Sequence, residues 1–584
     1  MGRTNSLPVL LAATLVGCEA DKGDVGAAPP LLVDTGVMSD GDTDADSDID
    51  LDGDVDGDVD SGPPLPTGAS VEFTRGAVHE RAPELGEFPG LVGVPNLDDD
   101  DQNGSMDWAQ AGTAPNDNDF AAATIVTGGN DVTLSLTGSG IRIYADDELV
   151  LGDGAASSYL PTEDTDLRVE FEDFLVQGTL TVEDATADQT FEVALTASPL
   201  FFNHHLQAAE ETMAMAVSEW GYRNTDFIDG YEDVLGDAFF TLSAMRYDYD
   251  VWVQDEFEFA YATSPDAHLD IVFDTHRNGQ GTPGSGLDDF AEDEYLGPDW
   301  IIINWGSASG ITSQDYGGNF EVSPPVTVDG VTYPYGRVYY GGDNGYYDPK
   351  DATEDAVEGF GVQAPFKPDV GWLCVGHIDE YTTTIPDPTA PKGFRFVMAD
   401  TGSAWDILEG MDPSTELTRY APGGYSGHNI ETVGELLDDS GIRYLNNELQ
   451  DILDEQEELF RAELGLTDED IIYIPSLFEE VDGCYGTVAA LIPGMANLIV
   501  GQVDDVPTLF LADPFLRTNI NDQSADPMIA DVRARFPEEM DLVFLDDWQV
   551  YHMGLGEVHC GSNVKRTAPR TWWEDAGHLI PRGG

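Results

Sequence analysis

The sequence predicts an α/β domain over residues 201–584, preceded by an antiparallel β-sandwich over 67–200. Three observations carry that expectation. Up to about residue 200, short runs alternate apolar with polar residues and are broken by Gly and Asp. Beyond it, helical periodicities alternate with apolar strand-like runs. A content of 41% hydrophobic and 10% aromatic residues supplies enough apolar mass for cores of that size, which excludes a chain disordered throughout.

In chain order, Arg3 and the apolar run from Leu7 to Val16 read as an export signal over 1–17, too short to span a bilayer as a helix. The run ends Leu15-Val16-Gly17-Cys18, which resembles the lipobox of bacterial lipoproteins. That implies a lipid on Cys18 and an exported lipoprotein of the cell envelope or cell surface, held to the membrane only by this anchor. Residues 18–66, where aspartate alternates with small or apolar residues, read as a disordered acidic tether extended by self-repulsion.

In the sandwich, Thr124-Ile125-Val126, Val132 to Leu136, Ile141 to Tyr144, Leu167 to Phe171 and Phe191 to Leu195 are the strand runs. Asn96 to Asp107 crowds hard oxygen donors around Gly104, which suits Ca²⁺ and equally suits a solvated acidic loop. In the α/β region, Leu206–Glu219, Glu448–Leu464 and Asp526–Phe536 read as helices, the last capped by Asp526 with Pro527 at its first position. Leu269 to Phe273, Trp300 to Asn304, Phe394 to Met398 and Leu498 to Val500 read as strands.

Acidic residues number 112 against 24 basic, a net charge of −88. Such a surface repels nucleic acid and anionic headgroups and attracts metal ions and basic polypeptides; it equally suits solubility in a salty medium. Besides Cys18, three cysteines allow one disulfide at most. Cys374, in an apolar run, reads as a small buried hydrophobe. Cys560, between Gly, His and polar residues, is the candidate nucleophile. As a strand, Trp252 to Glu258 would set Trp252, Gln254, Glu256 and Glu258 on one face and Asp255 on the other. His377 and Asp379 share a side. His204-His205 read as packing or capping, and His559 as loop structure, with none a metal ligand.

Taken together, WVQDEFE at 252–258, FDTHRN at 273–278, GNFEVSPPVTV at 318–328, GHIDEY at 376–381, KGFRF at 392–396 and DDWQVYHMGLGEVHCGSN at 546–563 resemble the protein-arginine deiminase family. Trp572-Trp573 fits as well. Its members are calcium-dependent enzymes that convert peptidyl-arginine to citrulline. The resemblance implies a pentein-type α/β-propeller catalytic domain preceded by an immunoglobulin-like domain. It implies that Asp255 and Asp379 clamp a guanidinium, Cys560 attacks its carbon, and His377 protonates departing ammonia and then activates water. Trp252 would wall the arginine stem, and Arg277 would hold substrate.

Calcium ligands carry over in the same way: Gln254, Glu258 and Glu321 with backbone oxygens near Gly317 and Phe320; Glu256, Asp274, Thr275 and Asn278 in a second site; and Asn96, Asp98, Asp100, Asp107 and Asp119 with Asp299 in others. Three departures follow from the comparison. The family's additional N-terminal domain is expected to be absent, replaced by signal and tether; Gly279 stands in place of a second arginine that grips the substrate backbone, and Met553-Gly554-Leu555 lacks a further basic residue. The expected substrate is an arginine-containing protein or peptide, with no nucleic-acid partner. The alternatives are free arginine or another small guanidine, and a calcium-stabilised surface binding protein without turnover.

Overall fold

The computed structural model describes residues 68–579, except 76–89, 96, 98–120, 146–147, 153, 220–221, 265–266, 276, 278–285, 298–299, 304–309, 343–347, 360–361, 422–429, 482, 485, 505 and 570–575. The expected signal and tether, with Cys18, lie outside the described residues. So do Asn96, Asp98, Asp100, Asp107, Asp119, Asn278, Asp299 and Trp572-Trp573.

Two sheets enclose the first core. One runs in the order Ser70–Arg75, Ala121–Val126, Thr165–Phe171, Ile141–Ala145, Glu148–Gly152; the other runs Gly90–Gly93, Gln189–Ala197, Gln177–Asp184, Val132–Gly138. Alternate residues of Ala121–Val126 are buried, as a strand with one face on a core requires. Ile125, Ile143, Leu167, Val182 and Leu195 meet between the sheets. One pairing departs from the expected antiparallel pattern: Gly90–Gly93 runs parallel to Gln189–Ala197. From the same segment Val92 and Val94 turn outward and pack with Phe202, Ala260 and Phe273, seating the sandwich on the α/β region.

That region repeats one unit five times: an antiparallel strand pair, a helix, then a strand parallel to the second member of the pair. Ser562–Arg566, Ala209–Ala216, the helix Thr225–Leu235 and Phe239–Ser243 make the first. Phe257–Ser264, Ala267–Asp274, Phe290–Glu294 and Trp300–Ile303 make the second. The third has Phe320–Val322, Val338–Tyr340, the helix Asp351–Gly359, and Phe366 bridged parallel to Tyr339. In the fourth, Thr382–Pro386 and Phe394–Asp400 precede the helix Ser440–Leu464 and Ile471–Pro475. Ile499–Val503, Val506–Ala512, the helix Pro527–Arg535 and Asp541–Leu545 complete the fifth. The first unit therefore takes its leading strand from the far end of the chain. The region is mixed α/β and mostly strand.

Local signals explain the helices. Asp439 accepts hydrogen bonds from the amides of Gly441 and Ile442, and Ile442, Leu449, Leu453, Phe460 and Leu464 form its buried stripe. Asp526 accepts from Met528 and Ile529, with Pro527 at the first position. Among the described residues, no helix is long and apolar enough to cross a membrane.

Three sequence expectations are corrected. Leu206–Glu219 is not a helix: Ala209–Ala216 is the central strand of its sheet, with Met213, Ala214 and Met215 fully buried. Pairing on both edges overrides the helix propensity of its Ala, Glu and Met residues. Trp252–Glu258 is not one strand, because Val253–Glu256 is a helical turn and the strand starts at Phe257. Cys374 is not a free hydrophobe; it is disulfide-bonded to Cys484, 110 residues away. The bond ties the approach to His377 to the segment before Val488, whose carbonyl also accepts from the Cys374 amide at 2.8 Å.

Candidate active site

Each unit sends the turn just ahead of its leading strand to the same place. Asp255 precedes Phe257–Ser264, Gly318 precedes Phe320–Val322, and Asp379 precedes Thr382–Pro386; Asn497 precedes Ile499–Val503 and Cys560 precedes Ser562–Arg566. Five segments scattered through the sequence thus meet because the unit repeats.

Gly318 marks the centre. A Cβ there would stand 2.8 Å from Asp255 Oδ1, 2.8 Å from His377 Nδ1 and 3.2 Å from Asp379 Oδ2. Only glycine leaves room for the two carboxylates and the imidazole to converge. Asp255 Oδ1 and Asp379 Oδ1 are buried without hydrogen-bond partners among the described residues, which leaves acceptor capacity facing this centre.

The helical turn 253–256 fans its acids apart. Asp255 reaches His377, its Oδ1 at 3.4 Å from Nδ1, while Gln254 meets Glu258 and Glu256 meets Arg277. A strand would have put Gln254 and Glu256 on one face. The Gln254 amide donates to the Cys560 carbonyl at 3.3 Å, and the Thr275 amide to that of Glu256 at 2.8 Å, which pins the turn. His377 caps the 3₁₀ turn Ile378–Glu380, and Glu380 accepts from the Gly376 and His377 amides, both at 2.9 Å.

Cys560, 4% exposed, lies with Sγ 3.7 Å from Asp379 Oδ2. Asn497 fastens this side. Its Nδ2 donates to Sγ at 3.2 Å and to the Asp379 carbonyl at 3.3 Å, and its Oδ1 accepts from the amides of His559 at 2.8 Å and Cys560 at 3.2 Å. His559 Nδ1 donates to Asp379 Oδ2 at 2.8 Å. His559 therefore positions Asp379, a correction to its reading as mere loop structure. Trp252 stands against the same loop: a Cβ on Gly556 would lie 2.4 Å from the indole and 3.0 Å from Cys560 Cβ.

Electrostatics follow the packing. Burial works against the imidazolium of His377, but Asp255 and then Asp379 outweigh it and raise its pKa to about 9, so the ring is charged at neutral pH. Burial, reinforced by Asp379 and Asp255, pushes the Cys560 thiol well above its usual 9.0. A raised thiol pKa keeps the proton on the sulfur at neutral pH.

Two oxygen-rich sets flank this centre. Glu256, Asp274 and Asp288 bring carboxylate oxygens within 4.8 Å of one another. Burial raises Glu256 to about 8 and Asp288 to about 6. Thr275 lies beside them, its hydroxyl donating to the Asp255 carbonyl at 2.8 Å. Gln254, Glu258 and Glu321 line one cavity with Phe320, and Gly317 packs on the Gln254 carbonyl. Burial raises Glu321 to about 7 and Glu258 well above its ordinary value. Arg277 is engaged internally, with Nη2 3.0 Å from Asp250 Oδ1 and Nη1 3.1 Å from Glu256 Oε2.

Sequence reasoning missed Asn497 and Asp288. An asparagine before an apolar run reads as an ordinary turn, and Asp288 sits in an acidic loop whose tertiary position no local pattern reports.

Residues 188–574 match the family described as Protein-arginine deiminase (PAD). The chain is 32% identical over 333 residues to Protein-arginine deiminase type-4 of Homo sapiens, covering 56% of this chain and 48% of that protein. It is 32% identical over 338 residues to the type-1 protein of Mus musculus, covering 56% and 47%. To the mouse type-4 protein it is 30% identical over 407 residues, covering 67% and 57%. The chain spans about half the length of the curated relatives it matches. With most of its length inside the family match, and that stretch containing all five converging turns, the chain belongs to the protein-arginine deiminase family.

Proposed function

We propose that this protein hydrolyses the guanidinium of arginine residues in proteins or peptides, producing citrulline and ammonia through a covalent intermediate on Cys560. The observation that carries the reading is the convergence of a thiol, an imidazolium and two carboxylates around Gly318. A guanidinium is flat and permanently charged, so two carboxylates can grip it with paired charge-assisted bonds. Asp255 and Asp379 have the orphan oxygens for that grip. As the cation enters, it neutralises the charges that hold the Cys560 proton, and the thiol ionises, giving that proton to solvent. Thiolate sulfur adds to the guanidinium carbon. The carbon–nitrogen bond then breaks, and the departing nitrogen takes the His377 proton and leaves as ammonia. Neutral His377 next removes a proton from water, whose oxygen adds to the same carbon. The carbon–sulfur bond breaks with the electron pair going to sulfur, and the hydroxyl proton returns to the thiolate by way of solvent, releasing neutral citrulline and restoring the thiol.

The two flanking sets fit calcium: their donors are oxygen, most are buried, and Glu321 Oε1 is orphaned. Glu256, Asp274, Thr275 and Asp288 would hold one ion, and Gln254, Glu258 and Glu321 another. When bound, calcium supplies the positive charge that lets these carboxylates crowd the cleft in ionised form. The five repeated units are read as a closed α/β-propeller and the sandwich as immunoglobulin-like. The Cys374–Cys484 disulfide supports export to an oxidising compartment, consistent with a lipid-anchored envelope protein.

Free arginine is a second substrate reading, favoured because Arg277 is tied to Asp250 and Glu256 and is not presented to a peptide backbone. Citrulline release from a blocked arginyl peptide and from free arginine, with Ca²⁺ and with chelator, tests all of this. Product from the peptide only when Ca²⁺ is present is expected. No product from either substrate at millimolar Ca²⁺ would overturn the enzymatic reading.

A further inference from the structure

We infer that the cleft beside the clamp contains a transition-metal site of the Zn²⁺ class, built from His205, Glu321 and His559, whose occupancy excludes calcium from Glu321. One ligand atom from each of the three lies within 4.8 Å of the others. Both imidazoles are already oriented for the task. His205 Nδ1 stands 2.8 Å from the Thr384 carbonyl, which can only accept, so that nitrogen carries the proton and Nε2 keeps its lone pair. His559 Nδ1 donates to Asp379 Oδ2, and its Nε2, 3.8 Å from Glu321 Oε1, is the nitrogen an ion would take by displacing its proton. An oxygen acceptor behind the far nitrogen is the usual support of a metal-bound histidine.

A second observation points to a ligand independently. Glu321 is 5% exposed and its Oε1 has no hydrogen-bond partner among the described residues. The three side chains line one cavity of about 40 Å³, together with Gln254, Glu258 and Arg566. The Arg566 guanidinium is drawn to the carbonyls of Val500 at 2.8 Å and Gln207 at 3.2 Å.

The donor set selects the ion. Two imidazole nitrogens suit Zn²⁺ or Co²⁺ and are poor ligands for Ca²⁺, which takes oxygen. Tetrahedral donors held about 2.0–2.1 Å from Zn²⁺ stand about 3.3 Å apart, so side-chain shifts of about an ångström close the site. Glu321 cannot complete both sites at once. His205 has no part in the deimination reading, so the site goes beyond it.

Cobalt titration of the full chain, stripped with chelator, tests it without turnover. One Co²⁺ per chain should give the intense visible bands of four-coordinate geometry, and added Ca²⁺ should bleach them. In His205→Asn, checked for folding by circular dichroism, the affinity should fall by more than about tenfold. X-ray absorption at the zinc edge of the wild-type protein should count two imidazoles on the ion, which needs no variant. Absence of four-coordinate bands, an unchanged titration in His205→Asn, or fewer than two imidazoles overturns the site. Bands that withstand saturating Ca²⁺ overturn the exclusion. None of these outcomes bears on deimination, which is read separately as citrulline.

Discussion

In the sandwich, Arg142 and Glu170 are each 1% exposed and meet as an ion pair, with the Tyr144 hydroxyl donating to the same Glu170 oxygen at 3.2 Å. In the cleft, Asp255 and Asp379 are 7% and 1% exposed, and each has a carboxylate oxygen that accepts nothing. Both regions bury charge; the first pairs its carboxylate with a guanidinium, whereas the second sets Asp255 and Asp379 against the His377 and His559 rings. The difference separates two uses of a buried carboxylate. Paired within the fold, it holds strands in register; left short of a partner, it is poised for a cation that arrives from outside. Burial raises the neighbouring Glu256, Glu258 and Glu321.

The comparison can be broken in order of effect. Cys560→Ser should lower citrulline formation about 10⁴-fold or more, since the bond-forming atom is gone; retention of a tenth of the activity would remove the covalent route. Arg142→Met should cost about 3–5 kcal/mol by leaving Glu170 buried without its countercharge, read by urea unfolding. Activity per folded molecule should stay the same, and a specific loss of turnover would erase the distinction between the regions. Asp255→Asn and Asp379→Asn should each lower kcat/KM by about 10²–10³. Asp255→Asn should also lower the melting temperature of the calcium-free protein near neutral pH, because it removes the carboxylate that holds the buried His377 imidazolium.

Two smaller effects depend on pH. In chelator, Glu321 and Glu256 hold their protons up to about 7 and about 8, against an ordinary 4.5. Raised folded values mean that the folded chain binds these protons more tightly. Their contribution is whole below about 4.5 and is lost as pH rises through 7 to 8, so the melting temperature should fall across that window. Saturating Ca²⁺ should flatten the slope; an equal slope with the ion would count against the calcium sets. His377, raised to about 9, contributes stability that is whole below its ordinary 6.5 and lost as pH rises through about 9. In Asp255→Asn that loss should move to lower pH, as followed by the His377 ring resonances.

Much of the molecule was legible in local pattern. Alternation marked the sandwich strands because one face of each meets a core, and Asp526-Pro527 marked a helix start because a cap and a fixed φ act within a few residues. The motif blocks singled out Asp255, His377, Asp379 and Cys560, and the structure brings them into one cleft. Patterning failed where partners are remote. Ala209–Ala216 became a strand because Ser562–Arg566 lies beside it, and Cys374 found Cys484 across 110 residues.

The sequence by itself therefore determined which segments can be strand or helix, how acidic the surface is, and which side chains carry reactive chemistry. Those properties are set by each residue and its near neighbours. Only the tertiary structure decided that the helical turn at 253–256 sends Gln254, Asp255 and Glu256 to separate sites, that Asn497 braces the sulfur, and that His559 and His205 meet at Glu321. These depend on distances between chain segments hundreds of residues apart, set by how five repeated units pack, which no window along the sequence contains.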